Sequence, residues 1–444
     1  MQDKKLKLNY KRTFYMGFAF FAILMLWQMY NYYCPLFLES MLGDSKAYVI
    51  GLIMAADNIF AIFMLPLFGS LSDKTHTKWG RRMPYMVVGM IASAICFPLI
   101  AVMYYVNSLV GLIIMMGLIL IIMNIYRNPA VSLMPDVTPK PLRSQANGII
   151  NLVGYIGAVL GGAIAMIIKL FFNELEKQGI AAFIVASFFM ILAVIILVLR
   201  INEPKIVEEM KDDMLEGEKL SESFTNETVS TPLTKQDKVN TIILLFSVLF
   251  WFISFNAVES FYSIFCKNTF TGDGLDKLVG TIVMAGLPLS SIITFMCTIN
   301  LPVKIGRKNT VLIGLGCLIL GFFIIVLQGI LNKYIAIVFI ISIVICGIGW
   351  ALINANSYPM LVEVTNKDNV GKFTGWYYTF SMIAQSITPV LVGALITIQN
   401  KYTVLFIYAL VTMAIAAIIF SFFKENRKHT IKVKKGMEKF EDND

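Results

Sequence analysis

Apolar positions along this chain do not alternate with polar ones; they run on. Near-continuous apolar stretches cover 13–38, 47–69, 83–105, 109–134, 145–171, 180–200, 240–266, 277–300, 309–331, 334–358, 370–398 and 402–423. A helix needs about 20 apolar residues to cross roughly 30 Å of hydrocarbon. The pattern therefore predicts an all-α membrane protein with twelve transmembrane helices. The first stretch is too long for a signal-peptide core and lacks a small-residue cleavage site, so it is expected to stay as a span. Polar residues collect in short turns and in one long segment, 202–238. That segment mixes Glu208, Glu209, Asp212 and Asp213 with Lys205 and Lys211, then turns to Ser, Thr and Asn. Such a composition reads as a solvated linker, with room for a short surface helix over 204–220.

Composition agrees with lipid as the solvent. The 444 residues are 57% hydrophobic and 15% charged, against about 45–50% and about 25% in soluble domains. The net charge of +9 raises nucleic acid as a partner, but its distribution removes that reading. With the N-terminus inside, sixteen Lys and Arg fall on the cytoplasmic side, Lys74, Lys78, Arg81 and Arg82 among them, and seven on the other. This bias orients a multi-pass protein of the plasma membrane with both termini in the cytoplasm. The six cysteines show no CxxC spacing, the only histidines are His76 and His429, and no GxxxxGK[ST] loop occurs. Covalent catalysis, a thiolate or histidine metal site and a bound cofactor are not expected.

The chain also repeats itself. The turn "LMPDVTPKPLRSQANG" (133–148) matches "MLVEVTNKDNVGKFTG" (360–375), with Asp136-Val137-Thr138 on Glu363-Val364-Thr365 and Gly148 on Gly375. Asn31 falls opposite Asn256, and Gly80-Arg81-Arg82 opposite Gly306-Arg307-Lys308. Three matches in one order around a linker predict two pseudo-symmetric six-helix halves, 1–200 and 239–424, joined by a cytoplasmic linker, 201–238, with a cytoplasmic tail, 425–444. Parallel repeats of this kind place a substrate site between the halves near the midplane.

At this point the sequence resembles the major facilitator superfamily. "GSLSDKTHTKWGRRMP" (69–84) is similar to its signature loop between spans two and three, with Gly69, Asp73-Lys74 and Gly80-Arg81-Arg82. Its longer spacing, with "LPLFGSLSD" and "WGRRMPY" around it and "RNPAVSLMPDVTPKPLRSQAN" (127–147) beyond, resembles the glycoside–cation symporter and sucrose transporter branch. The resemblance implies the major facilitator fold, alternating access and a sugar or glycoside as the small-molecule substrate. It gives Asp73, Arg81 and Arg82 a gating role. Asp136, Arg143 and Glu363 join them as gating candidates at the matching turns. Asp73 is expected to pair with the arginines or to meet the positive end of a neighbouring helix.

Charged groups at bilayer depth are costly, and three stand in the spans: Asp57, Arg127 and Glu259. Asp57 or Glu259 is the expected partner of Arg127, since an unpaired guanidinium there is expensive. Polar neighbours fall at helical steps beside them, so each set shares a face. Trp27, Asn31, Asn124, Arg127, Asn151, Asn256, Glu259, Tyr378 and Gln385 form the candidate substrate set. Amides and carboxylates suit hydroxyls, and an aromatic face suits the C–H side of a sugar ring. Interhelical hydrogen bonding is the alternative for any single member.

Asp57 and Glu259 are the coupling-ion candidates, because a carboxylate whose surroundings change can bind a proton on one side and release it on the other. The branch's paired acids in span two are not matched here, which favours a proton over sodium. A proton-coupled exporter of amphipathic compounds and a non-transporting membrane sensor are the competing readings. The protein is expected to be monomeric.

Overall fold

The computed structural model describes residues 6–43, 46–226, 234–298, 301–365 and 369–424. Among the described residues it is built from helices, with one isolated bridge, Thr77 to Gly80, and no strand. The first six helices are α1 (Tyr10–Leu42), α2 (Ala47–Lys74), α3 (Met83–Tyr105), α4 (Leu109–Val137), α5 (Arg143–Phe171) and α6 (Leu175–Arg200). Two shorter helices follow, α7 (Glu203–Glu209) and α8 (Lys211–Asn226). Then come α9 (Lys235–Thr269), α10 (Leu275–Thr298), the short α11 (Leu301–Ile305), α12 (Arg307–Ile330), α13 (Ala336–Val364), α14 (Val370–Gln399) and α15 (Val404–Ser421). Among the described residues eleven of these are long and apolar enough to cross a membrane. The second expected span falls in α2, of which the described apolar stretch, Ala47–Ala61, is shorter than a span.

Local chemistry explains where the helices start. Asn9 accepts the Arg12 N–H at the head of α1, Ser108 accepts that of Gly111 before α4, and Thr234 with Asp237 forms a capping box before α9. These side chains satisfy N–H groups that a helix leaves without partners. Interior prolines (Pro35, Pro98, Pro129, Pro288, Pro389) are tolerated. In lipid, a neighbouring helix can satisfy the carbonyl that each proline frees.

The helices α1–α6 pack mainly on one another, α1 on α5 and α3 on α4 and α6. A second group forms from α9, α10 and α12–α15. The groups meet along three seams, α2 with α14, α5 with α10 and α1 with α9. Alternate connections gather at opposite ends. We call the end carrying residues 75–82 and 201–210 the basic face, and the other the far face.

The segment 201–210 departs from the solvated linker that its composition suggests. Glu203, Ile206 and Met210 are buried, and Gly217 of α8 lies against Pro139 and Pro141 beyond α4. Its polar residues form the outer side of helices whose few apolar residues pack down onto the first six-helix group.

Candidate functional site

Halfway along the seam between α1 and α9, Asn31 Nδ2 donates to Glu259 Oε1 at 3.2 Å. Asn31 is buried and Glu259 half-buried. Two further bonds cross the seams at this level. Gln28 Nε2 donates to the Met284 carbonyl at 3.3 Å, and Asn58 Nδ2 to the Gln385 carbonyl at 3.4 Å. Both acceptors have a physical origin. Pro288 and Pro389 lie four residues beyond Met284 and Gln385 in α10 and α14. A proline has no N–H to return to the carbonyl four residues back. Each carbonyl is left open, and an amide from the other group takes it.

One turn nearer the basic face, Trp27 stacks on Tyr30 at 6.2 Å and the Arg127 guanidinium lies 5.7 Å from the Trp27 ring centre. This is cation–π distance. Among the described residues Arg127 forms no ion pair, so the expected bond to Glu259 is not made. Glu259 is instead held by Asn31. The side chain of Asp57 lies outside the described residues.

The remaining candidates divide. Asn124 and Asn256 donate to carbonyls of their own helices, Leu120 and Phe252, each at 2.8 Å. Asn151 is half-buried on α5, and Gln385 is half-buried on α14. Tyr378 is 54% exposed and belongs to an aromatic group with Tyr358 and Tyr377 nearer the basic face. The structure thus pairs Trp27 with Arg127 and Asn31 with Glu259, while the Gln385 carbonyl is taken by Asn58 on the α2–α14 seam.

On the basic face the signature loop is tied to its own half. Arg82 Nη2 reaches Asp73 Oδ1 at 2.5 Å, and its Nε donates to Asp136 Oδ2 at 2.8 Å. Its Nη1 also donates to Ser72 Oγ, while Arg81 stands 3.5 Å from Asp136. Burial works against the Arg82 charge, but Asp136 and Asp73 outweigh it and lift the guanidinium above its ordinary value. Arg143 donates to the Thr138 and Pro135 carbonyls at 3.1 and 2.9 Å, closing the end of α4. In the second group, Arg307 Nε pairs with Glu363 Oε1 at 2.8 Å. Every one of these pairs joins elements of the same half.

Two features escaped the sequence reading. Glu203, in "NEPK" after α6, is buried and accepts the N–H groups of Arg81, Arg82 and Met83. The positive end of α3 therefore meets Glu203, and Asp73 takes the Arg82 side chain. At the far face, Glu39 accepts from Lys267 at 2.5 Å and from Asn268 at 3.1 Å, and Lys277 donates to Asn173 at 2.5 Å. Glu39 and Lys267 could have been flagged as opposite charges at matching ends of spans one and seven. Beside them lies a cavity of about 240 Å³ lined by Lys169, Cys266, Lys267, Asp273, Asp276 and Lys277 among others.

Close backbone approaches seal the same region. A Cβ on Gly51 would strike the Pro389 carbonyl, one on Gly393 the Ala47 carbonyl, and one on Gly162 the backbone of Ala285.

Comparison with known proteins places this geometry. The family model described as Major Facilitator Superfamily matches residues 16–358 and 303–442. An uncharacterized symporter of Synechocystis is 36% identical over 66 residues, 15% of this chain and 12% of the relative. The isoprimeverose transporter of Lactiplantibacillus pentosus is 21% identical over 313 residues, 68% of this chain and 61% of the relative. The matched stretch is thus less than two thirds of either relative's length. The fold is that of the xylose transporter XylE from E. coli in a partially occluded inward-open conformation, with a TM-score of 0.65. That similarity covers 96% of this chain and 100% of the other at 13% identity.

Proposed function

Since the chain belongs to the Major Facilitator Superfamily and is a transporter rather than an enzyme, we propose that it carries a sugar or glycoside together with a coupling cation, by alternating access. In this reading all twelve expected spans cross the plasma membrane, the basic face and both termini are cytoplasmic, and the protein works as a monomer. The halves are those expected from the repeats, 1–200 and 239–424.

The observation that carries the substrate class is the polar level around Asn31 and Glu259. It joins an amide, a carboxylate, two open carbonyls and the Trp27 ring within one region between the groups. Hydroxyls need acceptors and donors in such a mixture, and a ring face needs an aromatic wall. The isoprimeverose transporter among the relatives supports the same class. Glu259 and Asp57 are the coupling candidates, with a proton favoured over sodium. Glu259 touches a group on the opposite half, so its surroundings change when the halves move. The sealed far face supports an inward-facing state.

Uptake by proteoliposomes tests this. A labelled panel including isoprimeverose and xylose is offered under an imposed proton or sodium gradient. We expect at least one glycoside to accumulate under the proton gradient and to leak out when it is collapsed. Asp57→Asn or Glu259→Gln should abolish accumulation while sparing some exchange. Gradient-driven efflux of amphipathic cations, with no sugar uptake, would replace this reading with an exporter.

A further inference from the structure

We propose that Glu203, delivered by the segment between the halves, is the positioning residue of the basic-face gate. The inference rests on reading residues 69–84 as that gate. Glu203 is 2% exposed and its carboxylate is filled by backbone donors. Oε1 accepts the Arg81 N–H at 2.8 Å and the Arg82 N–H at 3.2 Å. Oε2 accepts those of Arg82 and Met83, both at 2.9 Å. These are the unpaired N–H groups at the positive end of α3, where an anion is favoured.

Both partners are shaped for the contact. Gly80 adopts φ +104°, a conformation that side-chain-bearing residues rarely take, and a Cβ on it would run into the Glu203 carboxylate. On the other side, Asn202 caps α7 by accepting the Lys205 N–H at 3.3 Å, and Pro204 occupies its first turn, where a missing N–H costs nothing. Buried Ile206 and Met210 seat the helix, and Arg12 of α1 donates to Met210 Sδ at 2.9 Å.

The consequence runs through Arg82. One residue carries two functions: its N–H is held by Glu203, while its guanidinium is shared by Asp73 and Asp136. Fixing the backbone fixes where the guanidinium begins. Without Glu203 the loop can rotate, and Arg82 no longer bridges α2 to α4. Glu203 touches no substrate and acts only through Arg82. The segment after α6 is thereby a working part of the first half's gate, beyond its task as a connection.

The test compares Glu203→Gln, Glu203→Ala and Gly80→Ala with Asp136→Asn, in full-length protein reconstituted in nanodiscs and proteoliposomes. Amide exchange at 81–83 is read first and should speed up about tenfold or more in Glu203→Ala, the scale of losing hydrogen bonds to a charged group. Exchange in α9 and α14 should not change. Turnover should fall with KM nearly constant, and thiol labelling of a cysteine placed at Ser70 should rise as in Asp136→Asn. Gly80→Ala should reproduce the effect from the other side. Glu203→Gln, which keeps one acceptor oxygen, should fall between wild type and Glu203→Ala, and it carries the test should the alanine variant not fold.

Unchanged exchange at 81–83 would overturn the contact. Faster exchange with unaltered turnover and labelling, while Asp136→Asn alters both, would reduce Glu203 to a purely structural cap. If Asp136→Asn also leaves turnover and labelling unaltered, it is the gate reading that fails, and the exchange result still reports on Glu203 alone.

Discussion

The two ends of the bundle are held in different ways. At the far face, beside local pairs such as Lys177 with Glu174, polar contacts cross between the halves, Glu39 to Lys267 and Asn268, and Lys277 to Asn173. At the basic face these ion pairs join groups within a half: Arg82 with Asp73 and Asp136, and Arg307 with Glu363. The difference assigns separate tasks. In the proposed alternating-access cycle, contacts across the halves would break when the far face opens and so weigh directly on the balance of states. Contacts within a half would stiffen it and act on the balance only through its shape. A ligand or substitution shifts that balance only by its unequal effect on the two states.

The largest effect should come from forcing the far seam apart. Gly51→Val places side-chain atoms where α14 passes closest. Overpacking costs about 1–3 kcal/mol, enough to move the equilibrium about 5- to 150-fold toward an open far face. An impermeant thiol reagent should then reach Cys266 in a background with the other cysteines replaced. Unchanged labelling with normal transport would contradict a seam closed by these glycines.

Glu39→Gln should act in the same direction more weakly. Glu39 is 6% exposed, and glutamine keeps an acceptor oxygen, so only part of the about 1.5–3 kcal/mol of a hydrogen bond between charged groups is lost. Adding Lys267→Gln should recover part of the loss, because the two residues share one interaction. Strict additivity of the two effects would remove the clasp as a joint device.

Within the basic face, Asp136→Asn should outweigh Asp73→Asn, since the Asp136 side chain is 20% exposed and that of Asp73 57%. An exposed pair contributes about 1 kcal/mol or less. Asp73→Asn should therefore raise labelling at the basic face severalfold and leave Cys266 labelling as it was. Equal changes at both ends would erase the distinction drawn between them.

The smallest effect belongs to Lys140→Ala. Its pair with Glu218 is 3.7 Å long with both side chains about half exposed, so the thermal midpoint should move by no more than about 0.5 kcal/mol equivalent. A clear loss of stability would mean that α8 is held by charge and not by the seating of Gly217 on Pro139.

Much of the fold could be read from hydropathy because lipid asks a simple question of each segment. The run 83–105 coincides with α3, and most other boundaries fall within a few residues of the helices. Charge in a loop is equally visible, which is why Asp73, Arg81 and Arg82 stood out. Partnership was not visible. Arg127 was expected to meet Asp57 or Glu259; Glu259 bonds to Asn31 and the guanidinium lies over the Trp27 ring, an aromatic partner that leaves no charge pattern in the sequence. Asn124 and Asn256 share helical faces with the other candidates, yet they bond to their own backbones, a choice made by rotamer and not by position. Glu203 was hidden for the opposite reason. It sits among Glu and Lys residues that do face water, and only its contact with α3 distinguishes it.

The prolines of α10 and α14 carry a further consequence. Because Pro288 and Pro389 leave the Met284 and Gln385 carbonyls out of the helical ladder, Gln28 and Asn58 can let go of them without breaking a turn of helix. When the halves separate, two amides and two carbonyls become available together, facing each other across a widening gap. Water or the hydroxyls of a solute can then take their places. The cavity is thus chemically thirstier when it is open than when it is shut. The sugar or glycoside proposed above would gain most from the open form and be released as the walls resume bonding to each other.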